Sequence, residues 1–291
     1  MTNLRARVGE TLRYAAFFDF PLTGEEIHRW LVTDKPVNKN RVERVLSGGK
    51  LPQRLRRFYL PKLSSSRLYR QKMSEQKKDK ARKVAKVLAL IPGVKLVALT
   101  GSAAIGNSRA GDDIDLMIVA SGSSLWLIRP LVVIMVEIFF KRRRPQQKRY
   151  LSDVICLNLW LDQEALAVPP RKRNLYTTHE VLQLQPLVNK GLAYEQFLFA
   201  NRWVSQFLAN AYEEKRFRHS LVNYSKRPSI WSGLNRVAFL CQYHYMKRRI
   251  TKETISLHAA YFHSQDWHKS MSQYFNRQNK KIQEAQAGTG A

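Results

Sequence analysis

Two aspartates one residue apart, Asp113 and Asp115, stand at the head of an apolar run, DIDLMIVA. On an extended strand, residues i and i+2 project to one face, so the two carboxylates point together while Ile114 turns into the core. Side by side they repel, and a bound cation relieves that repulsion. Hard oxygen donors suit Mg²⁺, with Mn²⁺ as substitute, and Mg²⁺ completes its shell with waters and phosphate oxygens. Upstream, residues 95–100 (KLVALT) read as a buried strand ending at Gly101-Ser102. Glycine there lets the backbone approach a ligand closely, and free N–H groups with the Ser102 hydroxyl suit phosphate oxygens. Asn107, Ser108 and Arg109 lie in the intervening loop, each placed either to reach a phosphate of a bound nucleotide or to remain a solvated loop residue. The set fits phosphoryl-type transfer, in which a metal offsets charge on the transferring phosphate and on the leaving pyrophosphate.

This order of residues resembles the polymerase-β-type nucleotidyltransferase superfamily. The likeness rests on Val97-Ala98-Leu99-Thr100-Gly101-Ser102 followed by Asp113-Ile114-Asp115-Leu116, and extends over about 95–165 as a domain. The resemblance implies a mixed sheet with helices on one side. It also implies Gly101 and Ser102 on the triphosphate, with Asp113 and Asp115 as both catalytic and metal-binding residues. The reaction implied is attack of an acceptor hydroxyl on the α-phosphate of a nucleoside triphosphate such as ATP, with release of pyrophosphate. More loosely, the layout resembles bacterial nucleotidyltransferase-domain proteins with a winged helix first and helices last.

Active members of that family often carry a third carboxylate on a neighbouring strand, which orients or deprotonates the attacking hydroxyl. The corresponding stretch here is 153–162, DVICLNLWLD, whose middle polar residue is Asn158, neutral and unable to act as a base. Asp153 and Asp162 stand at its ends with opposite parity. Three readings stay open: Asp153 serves, or Asn158 orients a ligand, or the domain binds nucleotide without efficient transfer. The sequence therefore reads as a Mg²⁺-dependent nucleotidyltransferase with an unspecified acceptor. The competing reading is a winged-helix nucleic-acid-binding or regulatory protein with a degenerate, nucleotide-sensing transferase domain.

The elements around these residues read as α+β: a winged-helix-like domain over 1–72, a connecting helix over 73–93, the catalytic sheet over 94–170, a helical region over 171–278 and a tail over 279–291. Thr23 and Glu26 form a capping box behind Pro21, Asn38 caps a basic third helix, and 56–60 with 67–69 read as a hairpin wing. A second capping box, Thr177 with Glu180, opens a stretch that looks helical almost to the end.

Composition bounds the rest. Fifty Lys and Arg against 22 Asp and Glu leave a formal charge of +28, a surface that attracts nucleic acid, nucleotides or acidic lipid. Two cysteines, Cys156 and Cys241, argue for a reducing cytoplasm rather than a disulfide framework, and the N-terminus has no signal-peptide pattern. Residues 125–140 (LWLIRPLVVIMVEIFF) are too short to span a bilayer and contain Arg129 and Glu137. A buried core helix ended by the basic 141–144 cluster is expected, with peripheral membrane contact through that cluster as the less favoured alternative. His258, His263 and His268 show no zinc spacing. Lys247, Arg248 and Arg249 with Tyr243 and Tyr245 form a basic-aromatic patch.

Overall fold

The computed structural model describes residues 2–49, 51–60, 62–143, 152–215, 231–248, 250, 253–262, 270–271 and 273–274. Arg144, Arg249, His263, His268 and the tail lie outside the described residues.

The first 60 residues build a small apolar core of their own from α1 (Thr2–Phe17), α2 (Gly24–Arg29), α3 (Lys39–Ser47) and α4 (Gln53–Arg56). The Thr23–Glu26 capping box is formed, and the Asn38 side chain accepts from Asn40 N–H to start α3. The wing is not a hairpin. Strand β1 (Leu22–Thr23) pairs in parallel with β2 (Tyr59–Leu60), and residues 67–69 belong to a 24-residue helix, α5 (Ser65–Leu88). The physical reason is local and tertiary at once. The Ser64 hydroxyl accepts Arg67 N–H as an N-cap, while the buried Arg67 guanidinium lies 3.7 Å from the Phe20 ring centroid and bonds Pro21 O and Glu26. The expected connector at 73–93 is thus the latter part of one long helix that starts in the N-terminal unit.

A six-stranded mixed sheet follows, in the order β6-β3-β4-β5-β8-β7. Its members are β3 (Val94–Leu99), β4 (Ile114–Ala120), β5 (Ile155–Asp162), β6 (Gln185–Asn189), β7 (Thr254–Ile255) and β8 (Ala259–Tyr261). Only β4 and β5 run parallel; every other neighbouring pair is antiparallel. Period-2 alternation sorts the central strands. Val97, Leu99, Leu116 and Ile118 pack on one face with α5, α7 (Leu125–Phe139) and α11 (Trp231–Lys247), while Leu96, Ala98, Met117 and Val119 pack on the other. That second face is covered by α8 (Leu175–Gln183), α9 (Ala193–Ala200) and α10 (Ala209–Lys215). Helices therefore flank both faces of the sheet, not one as the resemblance implied. The short α6 (Gly101–Ala104) sits at the end of β3.

The expectation of a helical region over 171–278 needs correcting, because three of its segments are strands of the sheet. Pro186 marks one of them: it cannot extend α8, and it is tolerated in β6 because β6 is an edge strand. The start of α8 also differs. Its capping box is Asn174 with Thr177, three residues earlier than the expected pair, which leaves Glu180 on the body of the helix. Residues 125–139 do form a helix, but with one face outward: Leu131, Ile134, Ile138 and Phe139 are each at least half exposed.

Helix α5 anchors the loop before β4 through one buried cation. The Lys77 ammonium, on a residue 3% exposed, donates to Ala110 O, Asp112 O and, at 2.7 Å, the Asp153 carboxylate. Removing it takes away the one donor shared by two loop carbonyls and the Asp153 carboxylate. Lys77→Met is expected to cost on the order of 2 kcal/mol and lower the melting temperature by several degrees. An unchanged melting curve would show that the loop is held by something else.

Candidate functional site

The site is built where β3 ends and β4 begins. Thr100 N–H donates to Asp115 O, continuing the β3–β4 ladder to the foot of α6. Asp115 shares the sheet face of Met117 and Val119, and Cys156 lies directly opposite it on β5. Donor atoms of Asp113, Asp115 and Cys156 all lie within 4.8 Å of one another. This cluster is of a kind that could hold a metal ion.

Gly101 is required by that packing. Its φ is +65°, and a Cβ there would meet Asp115 Oδ2 at 2.4 Å. The glycine thus makes room for a carboxylate of the chain itself, beyond the ligand approach expected from the sequence. Asp115 is further held by Asn158, whose Nδ2 donates to its Oδ1 at 2.8 Å. Asn158 can reach because β5 changes phase there. The register shifts between Leu116 and Met117, so that Leu157 packs in the first core and Leu159 in the second. Asp113 is paired with the Arg143 guanidinium, brought in by a segment whose Arg143 N–H donates to Ile155 O.

Loss of water and the nearby Asp113 charge push the Asp115 carboxyl up to about 7, with the Cys156 thiol hydrogen bond pulling the other way. Burial, then the two aspartates, push the Cys156 thiol far above its ordinary value, so it stays protonated. A neutral thiol donating to Asp115 leaves the two carboxylates as the oxygen donors for a hard cation. Two buried polar atoms beside them, Asn158 Oδ1 and Thr100 Oγ1, have no hydrogen-bond partner among the described residues. Their residues are 5% and 6% exposed. Orphaned oxygens next to paired carboxylates are what a cation with its waters would satisfy, so the residues fit Mg²⁺ or Mn²⁺.

The other sequence-predicted residues have separate duties. Ser102 Oγ donates to Asp112 Oδ2 at 3.1 Å and lies 3.1 Å from Ser108 Oγ. Ser108 is fully buried, with its N–H on Ser74 Oγ. Asn107 bonds Arg70 and Phe18 O, and Arg109, largely exposed, faces Asp19 at 3.7 Å. Asn107, Ser108 and Arg109 tie the loop to the turn that follows α1 and to α5. Asp153 is not in the three-residue cluster. It takes a left-handed backbone, φ 61°, and gives its carboxylate to Lys77 and Lys80.

One residue escaped the sequence reading. Glu180, on the helix that covers the Asp115 face, feeds its charge into the environment of Asp115. Burial pushes its own carboxyl up to about 7, while a hydrogen bond from Tyr176, one turn earlier, pulls it down. The expected cap had tied this side chain to the helix backbone. The signal that could have freed it is Asn174, a stronger N-cap three residues upstream.

No family model matches the chain, and no curated protein matches it. Among solved structures, a chain described as "Crystal structure of the toxin-antitoxin with AMP-PNP" matches with 20% identity, covering 42% of this chain and 79% of that one, at a TM-score of 0.21. A likeness at that level carries no argument here.

Because both carboxyls are raised, the folded chain keeps protons that the unfolded chain releases from about pH 4 upward. Their contribution to stability is greatest below the unfolded values and is lost as pH rises through about 7. Without divalent cations, the melting temperature is expected to fall by several degrees between about pH 5 and pH 8, with Asp115→Asn and Glu180→Gln each flattening the slope. A slope indifferent to both substitutions would contradict the burial described.

Proposed function

We propose that this protein is a divalent-metal-dependent nucleotidyltransferase that moves a nucleoside monophosphate from a nucleoside triphosphate to a hydroxyl acceptor. The observation that carries the reading is the close approach of the Asp113 and Asp115 carboxylates, with Asp115 hard against Gly101 and oxygens of Asn158 and Thr100 beside them that have no partner among the described residues. A divalent cation held by the two carboxylates supplies neutralisation of the triphosphate and of the departing pyrophosphate.

The chain's own residues do the rest. Asn158 and Gly101 fix the Asp115 carboxylate, and Arg143 fixes that of Asp113, so the pair is oriented before substrate arrives. Exchange of Arg143 from Asp113 to a phosphate oxygen would let one guanidinium serve the empty and the loaded site. Gly101 and Ser102 lie at the triphosphate end of this site, as the sequence pattern assigns them. Glu180 is our candidate for the acceptor side: Asn158 is unable to accept a proton, Asp153 is paired to Lys77, and the Glu180 charge reaches Asp115. A value near neutrality suits that task.

The competing reading, a nucleotide sensor without turnover, is favoured by one observation, the neutral Asn158 on Asp115. The two separate in a single assay. Screened with the four nucleoside triphosphates in Mg²⁺ or Mn²⁺, the protein is expected to release pyrophosphate with at least one. Asp113→Asn should reduce release at least about 100-fold, and Glu180→Gln should lower turnover while leaving metal-dependent nucleotide binding intact. Nucleotide binding with no release from any of the four would establish the sensor. Absence of both binding and release would end the metal-site reading.

A further inference from the structure

Helix α7 was expected to be a buried core helix. Its inner stripe is buried: Trp126, Ile128, Val132 and Val136 are at most 5% exposed. Its outer stripe is not, with Leu131 at 50%, Ile134 at 52% and Ile138 at 66% exposure. Helix α11 packs beside it on the same sheet face. Trp126 N–H donates to Asn235 Oδ1, Gln242 Nε2 donates to Trp126 O, and the Trp126 and Phe239 rings lie 5.1 Å apart. The outer side of α11 repeats the pattern, exposing Leu234, Val237 and Leu240 at 54–59%. Both inner stripes enter one core, so both outer stripes face away from the sheet on the same side of the molecule. Large aliphatic side chains on two neighbouring helices make more exposed apolar surface than scattered single residues do.

Charge decides what covers it. Exposed Lys141 follows α7, and exposed Arg236, Lys247 and Arg248 lie on or just beyond α11. Residues 125–143 contain one acid, Glu137, already paired with Arg142, and 231–248 contain none. A second copy would bring like charges together, in a chain of +28. Spanning is excluded for these helices, since none is long and apolar enough to cross a membrane. Apolar stripes rimmed by cations, on helices too short to span, fit the interface plane of an anionic bilayer.

We infer that the outer face of α7 and α11 is a peripheral docking surface for anionic membrane lipid. The aliphatic stripes enter the boundary between headgroups and acyl chains, and Lys141, Arg236, Lys247 and Arg248 meet the phosphates. This surface stands independently of the transfer chemistry.

The test is sedimentation of the full chain with phosphatidylcholine vesicles, with and without about one third phosphatidylserine, over a range of salt. The protein is expected to sediment with the anionic vesicles at low salt and to weaken as salt rises. Ile134→Glu and Leu240→Glu, at exposed positions, should each reduce binding about tenfold with melting temperature unchanged. Arg236→Glu should reduce it about fivefold or more. Failure to sediment with anionic vesicles would overturn the proposal. So would binding that responds to Arg236→Glu but not to the two apolar substitutions, since that is charge adsorption alone. A concentration-dependent dimer abolished by Ile134→Glu, without vesicle binding, would assign the face to a second copy or a protein partner instead.

Discussion

Two carboxylates cannot sit side by side away from water unless something holds each of them in place. Much of the centre of this molecule serves that end. Asp115 is gripped by the Asn158 amide and the Cys156 thiol and pressed against a residue that has no side chain, Gly101. Asp113 meets Arg143, delivered by a segment bonded to the start of β5. Neighbouring groups meet the cost of confinement in different ways. Asp113 has a cation, whereas Asp115 is pushed toward its neutral form because burial outweighs its hydrogen bonds.

The sheet supplies the geometry that makes this confinement repeatable. Parallel pairing of β4 with β5 sets Cys156 opposite Asp115, and the phase change at Asn158 adds a second side chain to the same face. A regular strand would have kept strict alternation through Leu159 and left the far half of β5 facing the wrong cores. Behind the sheet, Lys77 of α5 draws the 110–112 backbone and Asp153 to itself, so the turn into β4 has a fixed position. The N-terminal unit reaches the same loop through Arg70, Asn107 and Phe18, which couples a helical domain to the site by hydrogen bonds.

The two faces of the sheet have different characters. The paired acids lie on the face covered by α8, whose Glu180 adds a third carboxyl to their surroundings. On the opposite face, α7 and α11 present aliphatic stripes and exposed cations outward. Occupation of that outer surface leaves the acidic site uncovered, because the sheet stands between them.

The pairing of Asp113 with Asp115 and the turn at Gly101 were legible in the residues alone, since strand parity needs no knowledge of the rest of the chain. The same holds for the Thr23 and Asn38 caps, which are local hydrogen bonds, and for the alternation that sends β3 and β4 into two cores. Tertiary structure decided what local pattern could not. Residues 67–69 became helix because Arg67 found Phe20 and Glu26, and 185–189 became an edge strand because β3 offered a free ladder. Asp153 went to Lys77, and Glu180 stands on the body of a helix whose true cap is Asn174. Amphipathic α7 read as buried because a strongly apolar sequence does not say how many of its faces find partners. Short-range geometry is written in residue order; which long-range partner captures a side chain is settled only when the elements pack.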